Sequence, residues 1–293
     1  MDIGMNLPVM VPGLDRDRIL EWSRRIDRGP FSHIASGERI TFPNPEILVA
    51  LSAAAAVSER ARIFLNVLVL PMHGAALAAK RVATLDVLSG GRVVLGVGAG
   101  AREEDYRAAD APFGTRRLAR MGEQVALMRR AWAGEKVVEG ALRPVEPLPV
   151  QSGGPPVLAG SLSPRAIRKV APWADGLCGF SFGPSVDEVA ASFESARVAW
   201  REAGRERPPR LVTSCWFALG EDARAQLDTY LARYLNFMGE EVASRLAPQV
   251  TLDSPAKLRD AVRRIEDCGA DEVSLVPTTL DPDEIDRVQD ALG

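Results

Sequence analysis

Small and polar residues follow two short apolar runs of this sequence, and their types could hold a ligand. Gly98 is the last residue of the run RVVLGVG, and Ala99 follows it. Gly160 is the last residue of the run PPVLAG, and Ser161 and Ser163 follow it. Glycine lets a flat ring or a phosphate approach the backbone, and serine adds a hydroxyl donor. The pattern indicates a site for a flat or anionic ligand, although an ordinary turn is the simpler explanation of either junction alone.

The second junction also marks the start of a predicted helix. Ser163 is a good N-cap, and Pro164 suits the first helical position. The N–H groups of a first helical turn point outward, with the positive end of the helix dipole behind them. The junction is therefore either an anion site or a plain entry into a helix.

Three further places carry polar side chains of interest. Asn66 lies inside the apolar run FLNVLVLP, where a buried amide requires a partner, either an ordinary core hydrogen bond or a ligand. We place His33 after the second apolar run, where it could donate a proton, although a lone histidine there is more often structural. Glu103, Glu104 and Asp105 are adjacent and are interpreted as a solvated loop.

The chain has two histidines, and the stretch HGAAL gives His73 no nearby acidic partner, so we expect no metal site. The net charge of −3 and the pI near 5.6 argue against a nucleic-acid partner and an anionic membrane surface. Three distant cysteines fit a reducing compartment. With no basic leader and no apolar run of membrane length, we expect a cytoplasmic protein.

Eight short apolar runs recur along the chain and alternate with helical patterns. They are DIGMNL, FSHIA, RIFLNVLVL, RVVLGVG, PPVLAG, GLCGF, RLVTSCWFAL and EVSLVP. Continuous apolar runs are typical of parallel strands that are buried on both faces. The pattern predicts an α/β fold, a single (β/α)8 TIM barrel over residues 1–293.

A Rossmann-like domain followed by a second domain is the alternative to the barrel. The stretch GVGAG, residues 96–100, favours it, because a Gly-x-Gly follows a strand. However, the stretch AREEDYRAADAPFG separates those glycines from the next helix, so the dinucleotide-binding fingerprint fails.

The helical patterns contain two additions to a plain barrel. A Pro- and Gly-rich insertion, residues 137–156, precedes the fifth strand and is predicted to wrap the barrel or cover its mouth. Two helices, residues 221–239 and 254–268, are predicted before the eighth strand, the second capped by Ser254 and stopped by Gly269. Another helix is predicted to start at a capping box formed by Ser185 and Glu188.

Several of these segments together resemble the luciferase-like monooxygenase superfamily. They are AAAAVSERARIFLNVLVLP, ATLDVLSGGRVVLGVGAG and PPVLAGSLSPRAIRKVAPWADGLCGF, and the resemblance extends to about Phe180. It implies a barrel that binds reduced FMN or the deazaflavin coenzyme F420 in its mouth. It also implies a non-prolyl cis peptide bond in the third strand, at Asn66–Val67, under the cofactor ring, and a cofactor phosphate at Gly160, Ser161 and Ser163.

The resemblance has departures that concern catalysis. Bacterial luciferase has an acid and paired histidines after its second strand, whereas this chain offers His33 alone. Some family members bind the phosphate through an arginine after the fourth strand. This chain has Ala99 at that position, and its nearby arginine, Arg102, is shifted along the sequence. These departures argue against luciferase and desulfonation activity.

The resemblance implies an oxidoreductase that acts on a small organic substrate by hydride transfer or oxygen activation at the reduced cofactor. The segment around GERITFPNP is similar in sequence to deazaflavin-dependent members of the family, so we favour F420 over FMN. A non-catalytic flavin-binding barrel is the alternative, and a metal-dependent barrel hydrolase ranks third. Dimerisation through the barrel helices is common in the family, so the resemblance also implies a homodimer.

Overall fold

A computed structural model describes residues 1–161, 163–181 and 186–293 of the chain. Its eight parallel strands hydrogen-bond in sequence order, and the last pairs with the first, so that the sheet closes. The strands are β1 Asp2–Asn6, β2 His33–Ser36, β3 Arg62–Leu68, β4 Val93–Gly98, β5 Val157–Gly160, β6 Gly176–Cys178, β7 Arg210–Phe217 and β8 Glu272–Pro277. The predicted barrel is confirmed.

The strands form because their apolar runs are buried on both faces, by the barrel interior and by the helices outside. Val93–Gly98 is buried at every residue, and Arg210–Phe217 at all but its first. The pairing is regular except between β3 and β4, where the register shifts between Leu65 and Leu68.

Helices cover the outside of the barrel in the described part of the chain. They are α1 Arg16–Arg28, α2 Ile47–Ala56, α3 Ala75–Leu88, α4 Glu103–Ala108, α5 Arg117–Trp132, α6 Pro164–Val170, α7 Val186–Glu202, α8 Ala223–Tyr234, α9 Glu240–Leu246, α10 Pro255–Asp267 and α11 Glu284–Leu292. None of these described helices has the length and apolar character needed to cross a membrane.

The region before β8 confirms one predicted helix and divides the other. Ser254 caps α10 by accepting a hydrogen bond from the Lys257 N–H, and Gly269 beyond its end has a positive φ of 77°. The helix predicted over residues 221–239 instead ends at Tyr234, continues as a 3-10 turn and stops at Gly239. Gly239 has a φ of 84°, which a right-handed helix does not permit, so α9 begins after it. The predicted cap Ser185 of α7 lies outside the described residues.

The insertion of residues 137–156 wraps the outside of the barrel, the first of its two predicted positions. The Gln151 side chain donates to the Val93 backbone oxygen and to Asp86, and Lys80 donates to the Glu146 backbone oxygen. These contacts fix the insertion against α3 and the beginning of β4, away from the carboxyl ends of the strands.

Candidate active site

A pocket of about 660 Å³ opens at the carboxyl ends of the strands, the end where barrels of this kind bind ligands. Loops after β1, β2, β4 and β5 contribute to it, together with α8. All seven residues predicted to bind a cofactor line it, namely Asn66, Val67, Gly98, Ala99, Gly160, Ser161 and Ser163. Its volume lies in the usual range for small-molecule and cofactor sites.

The floor of the pocket is the bulge in β3. The Asn66–Val67 peptide bond is cis, as the family resemblance implies, and it coincides with the register shift between β3 and β4. The Asn66 side chain donates a hydrogen bond of 3.0 Å from Nδ2 to Ser214 Oγ in β7. Its amide is therefore satisfied across the barrel while the residue still lines the pocket.

Glycines surround Val67 at this floor. A Cβ atom at Gly98 would lie 2.7 Å from Val67 Cγ2, and one at Gly160 would lie 3.1 Å from Val67 Cγ1. From their positions in the sequence, these glycines are expected to allow the close approach of a ligand. The geometry shows that they first make room for the Val67 side chain, because a β-branched residue cannot move aside easily.

The serines after β5 differ in what their hydroxyls do. Ser163 accepts from the Ala166 N–H, at 3.3 Å, and caps α6 as predicted. Ser161 is only 4% exposed, and its Oγ has no hydrogen-bond partner among the described residues. A buried hydroxyl without a partner in a pocket wall offers a donor to a bound ligand.

A buried carboxylate lies at the edge of the pocket, on the loop after β2. Glu38 accepts a 2.6 Å hydrogen bond from the Val69 N–H through Oε2, and its Oε1 lies 2.9 Å from His73 Nε2. The Glu38 side chain is 2% exposed and that of His73 is 13% exposed. His73 therefore has an acidic partner in space, contrary to the sequence analysis, because the loops after β2 and β3 are neighbours. Among the described residues, no group of three or more side chains is arranged to hold a metal ion.

The side of the pocket formed by β7 and α8 is aromatic. Trp216 contacts Phe180, Tyr230 and Tyr234, with ring centroids 4.4, 5.9 and 5.0 Å away. Phe237, in the 3-10 turn after α8, completes this surface. Cys178 contributes a thiol whose pKa burial raises to about 12, so it stays neutral.

His33 does not reach the pocket, and its predicted position after the second strand is wrong. It is the first residue of β2, at the opposite end of the barrel, and is fully buried. Its Nδ1 lies 2.6 Å from Glu272 Oε1, and its Nε2 lies 2.8 Å from Ser274 Oγ. The ring occupies space that a Cβ at Gly4 would fill. The run FSHIA itself contains His33, so the histidine belongs to the strand and not to the loop after it.

Glu272 organises this lower end of the barrel. Burial opposes its ionisation, but hydrogen bonds from His33 and Ser32 and the charge of Arg62 hold its pKa well below the usual range. Arg62 and Arg210 lie 2.5 and 2.8 Å from its carboxylate. These contacts give His33 a structural environment.

Asp105 also departs from its interpretation as part of a solvated loop. It lies in α4, is 4% exposed, and accepts hydrogen bonds from the Ile40 and Thr41 N–H groups and from Thr41 Oγ1. Despite burial, these bonds lower its pKa. The carboxylate fixes the loop after β2 on which Glu38 lies.

Sequence reasoning missed Glu38 and the aromatic residues of α8. The signal for Glu38 was present, since β2 ends at Ser36 and the rule that selects loops after strands applies to residues 37 and 38. The role of Tyr234 and Phe237 had no local signal, because α8 and the turn after it reach the mouth only through the tertiary fold.

A family model described as luciferase-like monooxygenase matches residues 1–288. The chain belongs to this family. A luciferase-like relative, 4-hydroxyprotoasukamycin monooxygenase from Streptomyces nodosus subsp. asukaensis, is 29% identical over 96% of this chain and 79% of its own length.

Two solved structures share the luciferase-like fold of the chain. Monooxygenase RslO1 from Streptomyces bottropensis has a TM-score of 0.78 and 22% identity, covering 99% of this chain and 97% of its own. An F420-dependent secondary alcohol dehydrogenase, solved with an F420-acetone adduct, has a TM-score of 0.78 and 17% identity, covering 100% and 99%.

The pocket of this luciferase-like chain fits a flavin or deazaflavin. Its floor at Asn66–Val67 offers a backbone surface for a flat ring, and apolar side chains of the loop after β1 and of β8, such as Leu7 and Val276, also line it. The unpartnered Ser161 hydroxyl lies among the residues that would meet the phosphate. This buried donor is the observation that decides the fit.

Proposed function

We propose that the protein is an oxidoreductase that binds a reduced flavin or deazaflavin against Asn66–Val67 and acts on a small organic substrate. The observation that carries the proposal is the bulged floor of β3 beside the unpartnered hydroxyl of Ser161, in one pocket at the carboxyl ends of the strands. Family membership supports a catalytic protein over a non-catalytic flavin-binding barrel.

The cofactor, when bound, supplies a hydride, and a flavin also activates oxygen. The chain's own residues orient it and control water and protons. Val67 and Gly98 would support the ring, and Ser161 and Ser163 would hold the phosphate end, since all four residues line the pocket. Leu7 and the aromatic side of the pocket exclude water, which strengthens the electrostatic interactions inside.

We assign proton transfer to Glu38, since this acidic residue is among those that line the pocket. Oε1 would accept a proton that the substrate loses when it is oxidised, or return one to the substrate when it is reduced, and His73 Nε2, 2.9 Å away, holds this oxygen in place. The Val69 N–H holds Oε2 from the other side. These two hydrogen bonds hold the carboxylate in a fixed position, which general acid–base catalysis requires of the group that transfers the proton.

We favour F420 over FMN as the cofactor. Support comes from the F420-dependent glucose-6-phosphate dehydrogenase of Beutenbergia cavernae, 40% identical over 32% of this chain and 28% of its own length. With F420, the reaction would be an oxygen-independent hydride transfer. The relatives named as monooxygenases support the FMN alternative.

Equilibrium titration of the apo-protein with FMN and with F420, followed by cofactor fluorescence, tests the proposal. We expect one of them to bind selectively, and Ser161→Asp to weaken that binding by about tenfold or more through repulsion of the phosphate. Arg107→Met, at an exposed position of α4, is the matched control and should bind normally. Failure of both cofactors to bind would contradict the proposal.

We also propose that the protein forms a homodimer through α2 and α3. These helices pack side by side, and they expose Val49, Leu77 and Leu88 at 69%, 49% and 60%. Leu77 and Leu88 are three turns apart on one face of α3. Sedimentation should give a dimer for the natural chain and a monomer for Leu88→Glu, and a monomeric natural chain would contradict this proposal.

A further inference from the structure

The outer part of the pocket contains several aromatic side chains, which lie apart from the residues proposed to bind the cofactor at Ser161 and the β3 bulge. Tyr230 and Tyr234 are stacked at 5.7 Å with an interplanar angle of 8°, and Trp216 meets both nearly edge-on. Phe237 is 39% exposed at the rim. Such surfaces favour aromatic or conjugated molecules, which stack face or edge against the rings.

Two guanidinium groups lie on these rings. The guanidinium of Arg102 lies 3.9 Å from the centroid of Phe237 and 5.4 Å from that of Tyr234. That of Arg39 lies 4.2 Å over Phe42 and 5.6 Å from Phe237. The two cations are therefore held side by side along one aromatic surface.

The two guanidinium groups differ in the carboxylates that lie near them. Arg39 is buried and has Asp105 and Glu104 at 3.9 and 4.0 Å. Burial, followed by the charge of Arg102, lowers the pKa of Arg39, although a guanidinium stays charged. Arg102 lines the pocket, and its buried Nε has no hydrogen-bond partner among the described residues.

We propose that the substrate is a flat aromatic or conjugated molecule with an acidic group, which places its ring against Tyr234 and Phe237 and its anion on Arg102. The proposal rests on the proposed function, because the substrate shares the pocket with the cofactor. The serines after β5 already provide for the cofactor phosphate, so the guanidinium on the α8 side is left for a second anion. Its planar donors suit a carboxylate.

Calorimetric titration with 2-naphthoate tests the assignment, with 2-naphthamide as the neutral analogue and cyclohexanecarboxylate as the non-aromatic acid. Each probe is titrated into the apo-protein and into protein saturated with the cofactor that binds. The variants are Arg102→Met, which keeps the apolar stem, and Phe237→Leu at the exposed rim. Arg107→Met is the control, since its side chain is 72% exposed and pairs with Glu103 at 3.9 Å.

We expect 2-naphthoate to bind more tightly than either analogue. Arg102→Met should weaken 2-naphthoate binding by about tenfold or more and should leave 2-naphthamide binding within about twofold. Phe237→Leu should weaken both aromatic probes together, by about threefold to tenfold. Arg107→Met should change neither.

Three results would overturn the proposal: no 2-naphthoate binding, equal binding of acid and amide, or a loss of FMN or F420 affinity in Arg102→Met as large as the loss for 2-naphthoate. The last result would assign Arg102 to the cofactor phosphate. If neither cofactor binds but 2-naphthoate binds through Arg102, the proposed function fails and the anion site stands. If a cofactor binds and 2-naphthoate does not, only the substrate proposal fails.

Discussion

The barrel contains two glutamate–histidine pairs, one at each end. Glu272 and His33 are 2.6 Å apart at the amino ends of the strands, and Glu38 and His73 are 2.9 Å apart at the carboxyl ends. The lower pair is enclosed by arginines, whereas Glu38 borders the pocket. The same residue types therefore serve the architecture at one end and are available for chemistry at the other.

The largest effect should come from the lower pair, through Glu272→Ala. The substitution leaves Arg62 and Arg210 beside a buried histidine without their shared carboxylate. We expect the free energy of unfolding, measured by urea denaturation, to fall by about 3 kcal/mol. The folded fraction of Glu272→Ala should bind the cofactor with the affinity of the natural chain.

Asp2→Ala is the matched control for this comparison. Asp2 also pairs with Arg62, at 2.9 Å, but it is 53% exposed, so the loss should be about 0.5 kcal/mol. Equal losses in the two variants would show that enclosure does not distinguish the lower pair.

The next largest effect should come from the upper pair, through Glu38→Gln. The amide keeps an oxygen for the Val69 N–H but cannot exchange a proton, so kcat should fall by about 100-fold. The free energy of unfolding should change by less than about 1 kcal/mol. Turnover is measured as consumption of the reduced cofactor in the presence of substrate.

His73→Gln sharpens this prediction, since glutamine retains a donor for Glu38 Oε1. A smaller fall in kcat than in Glu38→Gln, with an altered pH profile, is expected for a positioning residue. Unchanged turnover in Glu38→Gln would remove Glu38 from the catalytic assignment.

A smaller effect should come from Gly98→Ala at the pocket floor. The added Cβ would lie 2.7 Å from Val67 Cγ2, and displacement of Val67 should weaken cofactor binding by about tenfold. Gly114→Ala is the control, because no atom lies within 4 Å of its added Cβ. Equal affinities of the two variants in a fluorescence titration would contradict the role of Val67 as the floor.

The fold could be predicted because its information is local and repeated. Each apolar run predicts its own strand, and alternation with amphipathic helices then leaves few topologies. The predicted helix over residues 221–239 ends correctly at Gly239, but α9 after it was missed, because none of its residues is buried and it therefore has no apolar periodicity. Similarly, the family motif located Asn66–Val67, Gly160 and Ser161 at the pocket, since their places are tied to particular strands.

Pairs formed between distant loops could not be predicted. Glu38 and His73 are 35 residues apart, and Arg102 and Phe237 meet only because the segment after β7 reaches the mouth. His33 shows the complementary error, since a shift of a few residues in the assumed strand moved it from one end of the barrel to the other. The boundaries of short strands are therefore the step at which site prediction fails.

The smallest effect should appear in the pH dependence of stability, and it concerns the lower pair. The pKa of Glu272 in the folded protein is held below its unfolded value of about 4.3. Its contribution to stability is therefore complete above about pH 4.3 and is lost as the pH falls toward the folded pKa. Glu272→Gln should flatten the fall in unfolding free energy between about pH 5 and pH 3, as measured by urea denaturation.

Part of the slope must survive in this variant, because hydrogen bonds also lower the pKa of buried Asp105. Glu38→Gln serves as the comparison at the other end of the barrel. If Glu272→Gln retained the full slope of the natural chain, the carboxylate would not be the charge that ties the lower end together. Arg62 and Arg210 would then lie around Glu272 because of packing, and their charges would not stabilise this end of the barrel.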